Sequence, residues 1–327
     1  MFQYLHTVMN PDAFHGHKKR GPFFEGWYFK LIDANEQHRW CIIPGVYIGQ
    51  DPADSHAFIQ IMNGITGQSI YHTYPFQDFS SPIGRFDVKI ADNHFSANAL
   101  KINVSTPELS VQGELTFEGV TPWPVTPISP GIMGWYGWLD FMECYHGVVS
   151  LNHTIHGKLT INNEPVEFTD GTGYIEKDWG QSFPKAWVWM QTNHFSQPCT
   201  CLTASAAIIP WRKSTFNGYI AGLWQGNQLH RFATYTGAKL DHISTTDHEV
   251  HLTLSDRSKR LELTATRAEG GILQAPTLTQ MDRRIMETLS ATVQVTLCER
   301  KGTQWLKTFS DIGRYAGLEA IGSLENR

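Results

Sequence analysis

At 327 residues, with 41% hydrophobic and 17% charged side chains, the chain is long enough for two ordinary domains and too apolar for extended disorder. A net charge of -5, with no basic run longer than Lys18-Lys19-Arg20, argues against nucleic acid and anionic membrane as principal partners. The five cysteines, Cys41, Cys144, Cys199, Cys201 and Cys298, lack framework spacing and fit a reducing cytoplasm, and no apolar stretch approaches the roughly 18 residues that span a bilayer.

Along the chain, Phe23 to Lys30 sets Glu25 among five aromatic residues, where a carboxylate is costly to bury unless it is protonated, paired or hydrogen-bonded. Lys30 and Arg20 are its candidate partners. Strand alternation comes next at Lys101–Val104, Lys158–Ile161, Val250–Leu254, Arg260–Ala265 and Thr292–Leu297. The turn signals Asn63-Gly64, Asp170-Gly171, Gly226-Asn227 and Gly270-Gly271 separate these runs. Amphipathic helix pattern is confined to Thr279–Leu289 and Ile312–Ile321. The Pro-rich run Thr121–Pro130, with an aromatic continuation through Trp138 to Tyr145, reads as an insertion that closes over a site mouth or as a linker.

Sliding the chain by about 160 residues places Phe23-x3-Trp27 on Phe183-x3-Trp187, Ser69–His72 on Gln228–Arg231, and Ala99–Val104 on Arg260–Ala265. This predicts an all-β protein built from a duplicated antiparallel unit, divided as 1–170 and 171–327, with the insertion at about 121–138 in the first unit. The two aromatic and acidic motifs would then begin equivalent units.

On a strand, Tyr174, Glu176 and Asp178 share one face at steps of about 7 Å, while Ile175, Lys177 and Trp179 share the other. Two acids near each other among aromatic rings resist joint ionisation, which leaves one able to act as a general acid. The bland alternative makes Glu176 and Lys177 a structural bridge and Asp178 a turn residue. Trp187 and Trp189 point to one side of their strand and Val188 and Met190 to the other, so one set faces a core and the other can wall a cavity. His15-Gly-His17 is too small for a zinc site, and P-loop, dinucleotide and G-x-S-x-G patterns are absent. No metal is predicted.

The segments Arg20–Lys30, Tyr174–Gly180, Phe183-Pro-Lys-x-Trp187-x-Trp189-x-Gln191 and Tyr136-Gly-Trp138, with Leu273–Pro276 and Leu297–Arg300, resemble the tocopherol cyclase family. More distantly they resemble carotenoid 1,2-hydratases and other two-domain lipocalin-like proteins. The resemblance implies two tandem lipocalin-like antiparallel β-barrels with few short helices. It also implies cofactor-free closure of a chromanol ring on a prenylated quinol, by alkene protonation and phenol attack. On that reading Glu176 is the proton donor, Tyr174 and Asp178 tune or relay, and Glu25 is the second candidate. Trp27, Trp179, Trp187 and Trp189 shield the cation, and Tyr28, Lys177, Gln191 and Trp138 complete the substrate contacts.

Plant members carry a plastid transit peptide, and its absence points to a bacterial protein, cytoplasmic, with transient membrane contact to collect an apolar substrate. Two further readings stand beside the cyclase, a carotenoid-type hydratase and a non-catalytic carrier of prenylquinones. Paired acids beside Trp platforms also serve sugars. A carboxyl opening into an apolar pocket favours the cyclase, a salt-bridged one the carrier, and an open polar groove a sugar.

Overall fold

The computed structural model describes residues 2–324. The chain falls into two compact units: Phe183 ends the main run of the first, to which Ile272–Arg284 returns, and Pro184–Gly271 with the chain from Ile285 forms the second.

In the first unit an antiparallel path runs Ser69–Pro75, His56–Asn63, Arg39–Ile48, Phe23–Ile32, Gly171–Gly180, Cys144–Ile161, Ser110–Glu118, Ala99–Ser105, Asn93–Ser96, Asp87–Ile90 and Phe79–Ser80. The two ends of this path are neighbours in sequence, joined by the single 3-10 turn Phe76–Asp78. A sheet whose outermost strands are tied that closely must curl back on itself, which makes it a barrel. The second unit repeats the plan through Gln228–Ala233, Ser214–Gln225, Cys201–Trp211, Trp187–Thr192, Gln304–Ile321, Arg283–Lys301, Lys259–Thr266, Glu249–Ser255 and Lys239–Thr245. Its ends are tied by the turn Thr234–Thr236. Both units are therefore lipocalin-like barrels, as the resemblance implies.

The shared plan corrects the repeat in two places. Phe23–Ile32 and Trp187–Thr192 do hold the same place in their paths, as do Ser69–Pro75 and Gln228–Ala233. Ala99–Ser105, however, matches Glu249–Ser255 rather than Lys259–Thr266, a slip of one hairpin between similar alternating strands. The strand carrying Tyr174 to Gly180 closes the first barrel instead of opening the second unit. It pairs with Phe23–Ile32 on one side, from Phe24 opposite Gly180 to Ile32 opposite Thr172, and with Cys144–Ile161 on the other. The change of unit accordingly comes at Phe183/Pro184, not at residue 170.

The two helical expectations fail. Thr279–Leu289 runs into the strand Arg283–Lys301, and Ile312–Ile321 ends the strand Gln304–Ile321. Ala291, Val293, Val295 and Leu297 point inward with period two, and sheet pairing on both sides outweighs local helical spacing. The α-helix among the described residues is Phe2–Val8, which the pattern did not reveal. None of their helices is long and apolar enough to cross a membrane.

Odd-numbered residues of Phe23–Ile32 face the first barrel's interior. Trp27 stacks on Phe86 at 5.3 Å, and Phe29 lies about 6 Å from Phe86, Phe95 and Phe117. Even-numbered residues face outward, where Phe24 packs with Tyr47, Phe58 and Met281 of the returning segment. Gln60 fixes that segment by accepting from the Gln274 amide at 2.6 Å and donating to its carbonyl at 3.3 Å. Gly226 and Asn227, at φ 58° and 59°, make the two-residue hairpin turn their sequence signals.

Phe29 is fully buried among aromatic rings. Phe29→Ala is expected to cost about 3–5 kcal/mol, read as a lowered urea midpoint.

Candidate functional site

The strand Gly171–Gly180 carries a separate cluster on each face. Inward, Lys177 donates to Glu25 Oε1 and, at 2.6 Å, to the Ala13 carbonyl. His15 supplies the rest: its backbone amide donates to Glu25 Oε2 at 2.8 Å, and its ring Nδ1 lies 3.0 Å from Oε1. The side chains of Glu25 and Lys177 are both fully buried. Lys177 Nζ also lies 4.6 Å from the centroid of Trp27 and 4.7 Å from that of Trp179. Each aromatic face contributes roughly 0.5–2 kcal/mol toward holding the cation. Two of the four rings expected to shield a substrate cation, Trp27 and Trp179, therefore flank the ammonium of Lys177. Gly147 is the cross-strand neighbour of Lys177, and a Cβ there would stand 3.1 Å from both the Lys177 stem and the Trp179 ring.

The partner of Glu25 is thus Lys177, with His15, in place of Lys30 or Arg20. Burial opposes its charge, but Lys177 and His15 outweigh it and hold the carboxyl below its ordinary range, so Glu25 is ionised at neutral pH. Burial and the Lys177 ammonium push His15 down to about 4, leaving it neutral. Lys177 is lowered by the same burial, against the pull of Glu25.

Outward, Tyr174 donates to Glu176 Oε2 at 2.5 Å. His146 Nε2 lies 3.6 Å from the same oxygen, and its Nδ1 lies 2.9 Å from Asp178 Oδ1. Cross-strand register places Tyr28 and Val148 on either side of Glu176, and Gly26 and His146 on either side of Asp178. Tyr174 is fully buried and Glu176 is 4% exposed. The expected face of Tyr174, Glu176 and Asp178 forms as read. His146 joins it from 30 residues upstream, through strand pairing that leaves no local signal. One donor atom each from His146, Glu176 and Asp178 lie within 4.8 Å of one another, the spacing among the described residues that could hold a metal ion.

The remaining predicted residues fall elsewhere. Trp187, Trp189 and Gln191 lie on the outer face of the second unit's sheet, opposite the core residues Val188 and Met190. Trp187 Nε1 donates to Glu319 Oε2 at 2.5 Å. Trp138 sits in the 3-10 turn Gly134–Trp138 of the insertion, where its indole donates to the Pro127 carbonyl at 2.8 Å and its own carbonyl accepts from Tyr4. Trp179 stands in a stack, with His15 at 4.2 Å and Tyr145 at 5.3 Å.

Two outcomes test the inner cluster. Lys177→Met would strand a buried carboxylate and is expected to cost about 3–5 kcal/mol in urea denaturation, with Glu25→Gln added on top restoring part of the loss. A depressed histidine contributes stability that is complete above pH 6.5 and is lost as pH falls toward 4, because the unfolded chain then binds the extra proton. Asp12, lifted by burial to about 6, acts with the opposite sign, losing stability as pH rises through that value. The difference between wild type and His15→Gln should therefore shrink by on the order of 3 kcal/mol as pH is lowered from 6.5 to 4.

The rice (Oryza sativa subsp. japonica) protein "Probable tocopherol cyclase, chloroplastic" is 23% identical to this chain over 313 residues, covering 79% of the chain and 66% of the rice protein. The maize (Zea mays) tocopherol cyclase is 27% identical over 157 residues, 44% of the chain and 31% of the maize protein. The chain thus spans less than two thirds of the length of either relative. Among solved structures, AttH from Nitrosomonas europaea superposes with a TM-score of 0.52 at 12% identity, covering 95% of both chains. CghA in complex with Sch210972 gives 0.52 at 10% identity, covering 92% of this chain and 89% of its own. These two likenesses support the fold alone. The Tocopherol cyclase-like family profile matches residues 105–322, more than half of the chain, and the chain belongs to that family.

Proposed function

We propose that this protein is an acid–base isomerase that closes a chromanol ring on a prenylated quinol, with Glu176 as the proton donor. The observation that carries this reading is the outward cluster: a buried carboxyl oriented by the Tyr174 hydroxyl and faced by an imidazole that Asp178 holds in place. The group facing Glu176 across 3.6 Å is the His146 imidazole, a side chain able to relay a proton. Glu25 is the weaker candidate, because an ionised carboxylate locked to Lys177 has no proton to give.

In the proposed cycle Tyr174 holds Oε2 and the transferable proton sits on Oε1. Delivery of that proton to the less substituted alkene carbon leaves a tertiary cation. The phenol oxygen, held within about 3–3.5 Å, attacks the cation and forms the new C–O bond. The phenolic proton returns to the Glu176 carboxylate, directly or through His146, and the enzyme is restored. Substrate and product are isomers, so the sequence requires no electron carrier. Burial of Tyr174 and Glu176 keeps bulk water from the cation, which otherwise would be hydrated. The names of the rice and maize relatives support the substrate class.

Incubation with a prenylated quinol is expected to give a chromanol of unchanged mass. Glu176→Gln should reduce the rate about 10²–10⁴-fold while leaving thermal melting intact. Wild-type turnover in that variant would remove Glu176 from the role. Product heavier by one water would make the protein a hydratase, and unchanged quinol that co-purifies would make it a carrier.

A further inference from the structure

The first unit contains a cavity of about 430 Å³ that the proposed chemistry does not use. Trp179, His15 and Tyr145 line it, so it lies on the inward side of the Gly171–Gly180 strand, opposite the face that bears Glu176. Its walls come from the two segments the fold holds together at Tyr4 and Trp138: the N-terminal stretch and the insertion, through Met133, Leu139 and Met142. The insertion therefore supplies part of the cavity wall.

Polarity in this cavity is graded. The inner end is aromatic, and its one imidazole, His15, is tied to Glu25 through Nδ1. Lys18, Lys19 and Arg20 also line the cavity and are exposed, against a single acidic residue, Asp140. Between these levels lies His17, packed edge-on against Phe14 at 4.8 Å, whose buried Nε2 has no hydrogen-bond partner among the described residues. A ring nitrogen left unsatisfied there gains a partner when the imidazole turns its Nε2 toward a polar atom bound in the cavity.

We infer that this cavity is a binding site for an amphiphilic anion, an apolar body resting on Trp179 with its carboxylate or similar head group taken by His17, Lys19 and Arg20. The volume falls in the range of small-ligand pockets and accommodates one alkyl or aryl chain of modest length. Charge at the mouth supplies selection for the head group, and the rings supply contact area for the body. The site stands apart from the Glu176 cluster, and the two proposals fail independently.

The test is calorimetric titration of the full chain with dodecanoate, dodecanol and dodecyltrimethylammonium. Dodecanoate is expected to bind at a ratio of one to one, at least tenfold tighter than the other two, and to weaken with salt. The exposed charge reversals Lys19→Glu and Arg20→Glu should weaken dodecanoate at least tenfold while leaving thermal melting unchanged. Leu139→Trp, which fills the cavity, should block binding. Absence of saturable binding, equal binding of the three amphiphiles, or affinity untouched by the charge reversals would overturn the proposal.

Discussion

The ion pair between Lys177 and Glu25 is the constraint around which the first barrel is arranged. Two opposite charges without solvent are tolerable only where geometry and further hydrogen bonds compensate the lost hydration. Here both carboxylate oxygens are engaged, the ammonium reaches a backbone carbonyl, and two indole rings flank it. Those partners come from three places, the 13–15 segment, the opening strand and the closing strand, so satisfying the pair requires all three to be docked together. The outward placement of Tyr174, Glu176 and Asp178 is a result of that docking, because their neighbours Ile175, Lys177 and Trp179 are committed to the interior.

Duplication explains the fold without explaining the chemistry. The second barrel has the same strand plan, yet the inward residues of its opening strand are Val188 and Met190, where the first has Glu25, Trp27 and Phe29. The second copy thus has apolar side chains at these positions, while the first carries a charged pair beneath its closing strand. Belonging to the Tocopherol cyclase-like family rests on the sequence match, and the physical character of the site rests on this asymmetry.

Much of this was legible in the residues. Period-two alternation named the faces of Tyr174 to Trp179 correctly, and the offset of about 160 residues revealed that the barrel is used twice. What escaped were the long-range partners. His146 meets Asp178 across a ladder, and His15 meets Glu25 through a loop that no periodicity marks. The helical readings failed at Thr279–Leu289 and Ile312–Ile321 because local spacing cannot weigh hydrogen bonds supplied by strands distant in sequence. The unit boundary was misplaced for a similar reason: the closing strand of a barrel is the last to arrive in the chain, and its residues alone make it look like the opening strand of the next barrel.

Gly147, opposite Lys177, suggests how the closing strand finds its place. A slip of one residue would turn every side chain to the other face. Glu176 would then enter the interior beside Glu25, two like charges out of water, while Lys177 would leave the gap that Gly147 keeps open for its stem. Alternating charge along Glu176, Lys177 and Asp178 therefore specifies the register of the closing strand, since either neighbouring register would bury a carboxylate where the ammonium belongs.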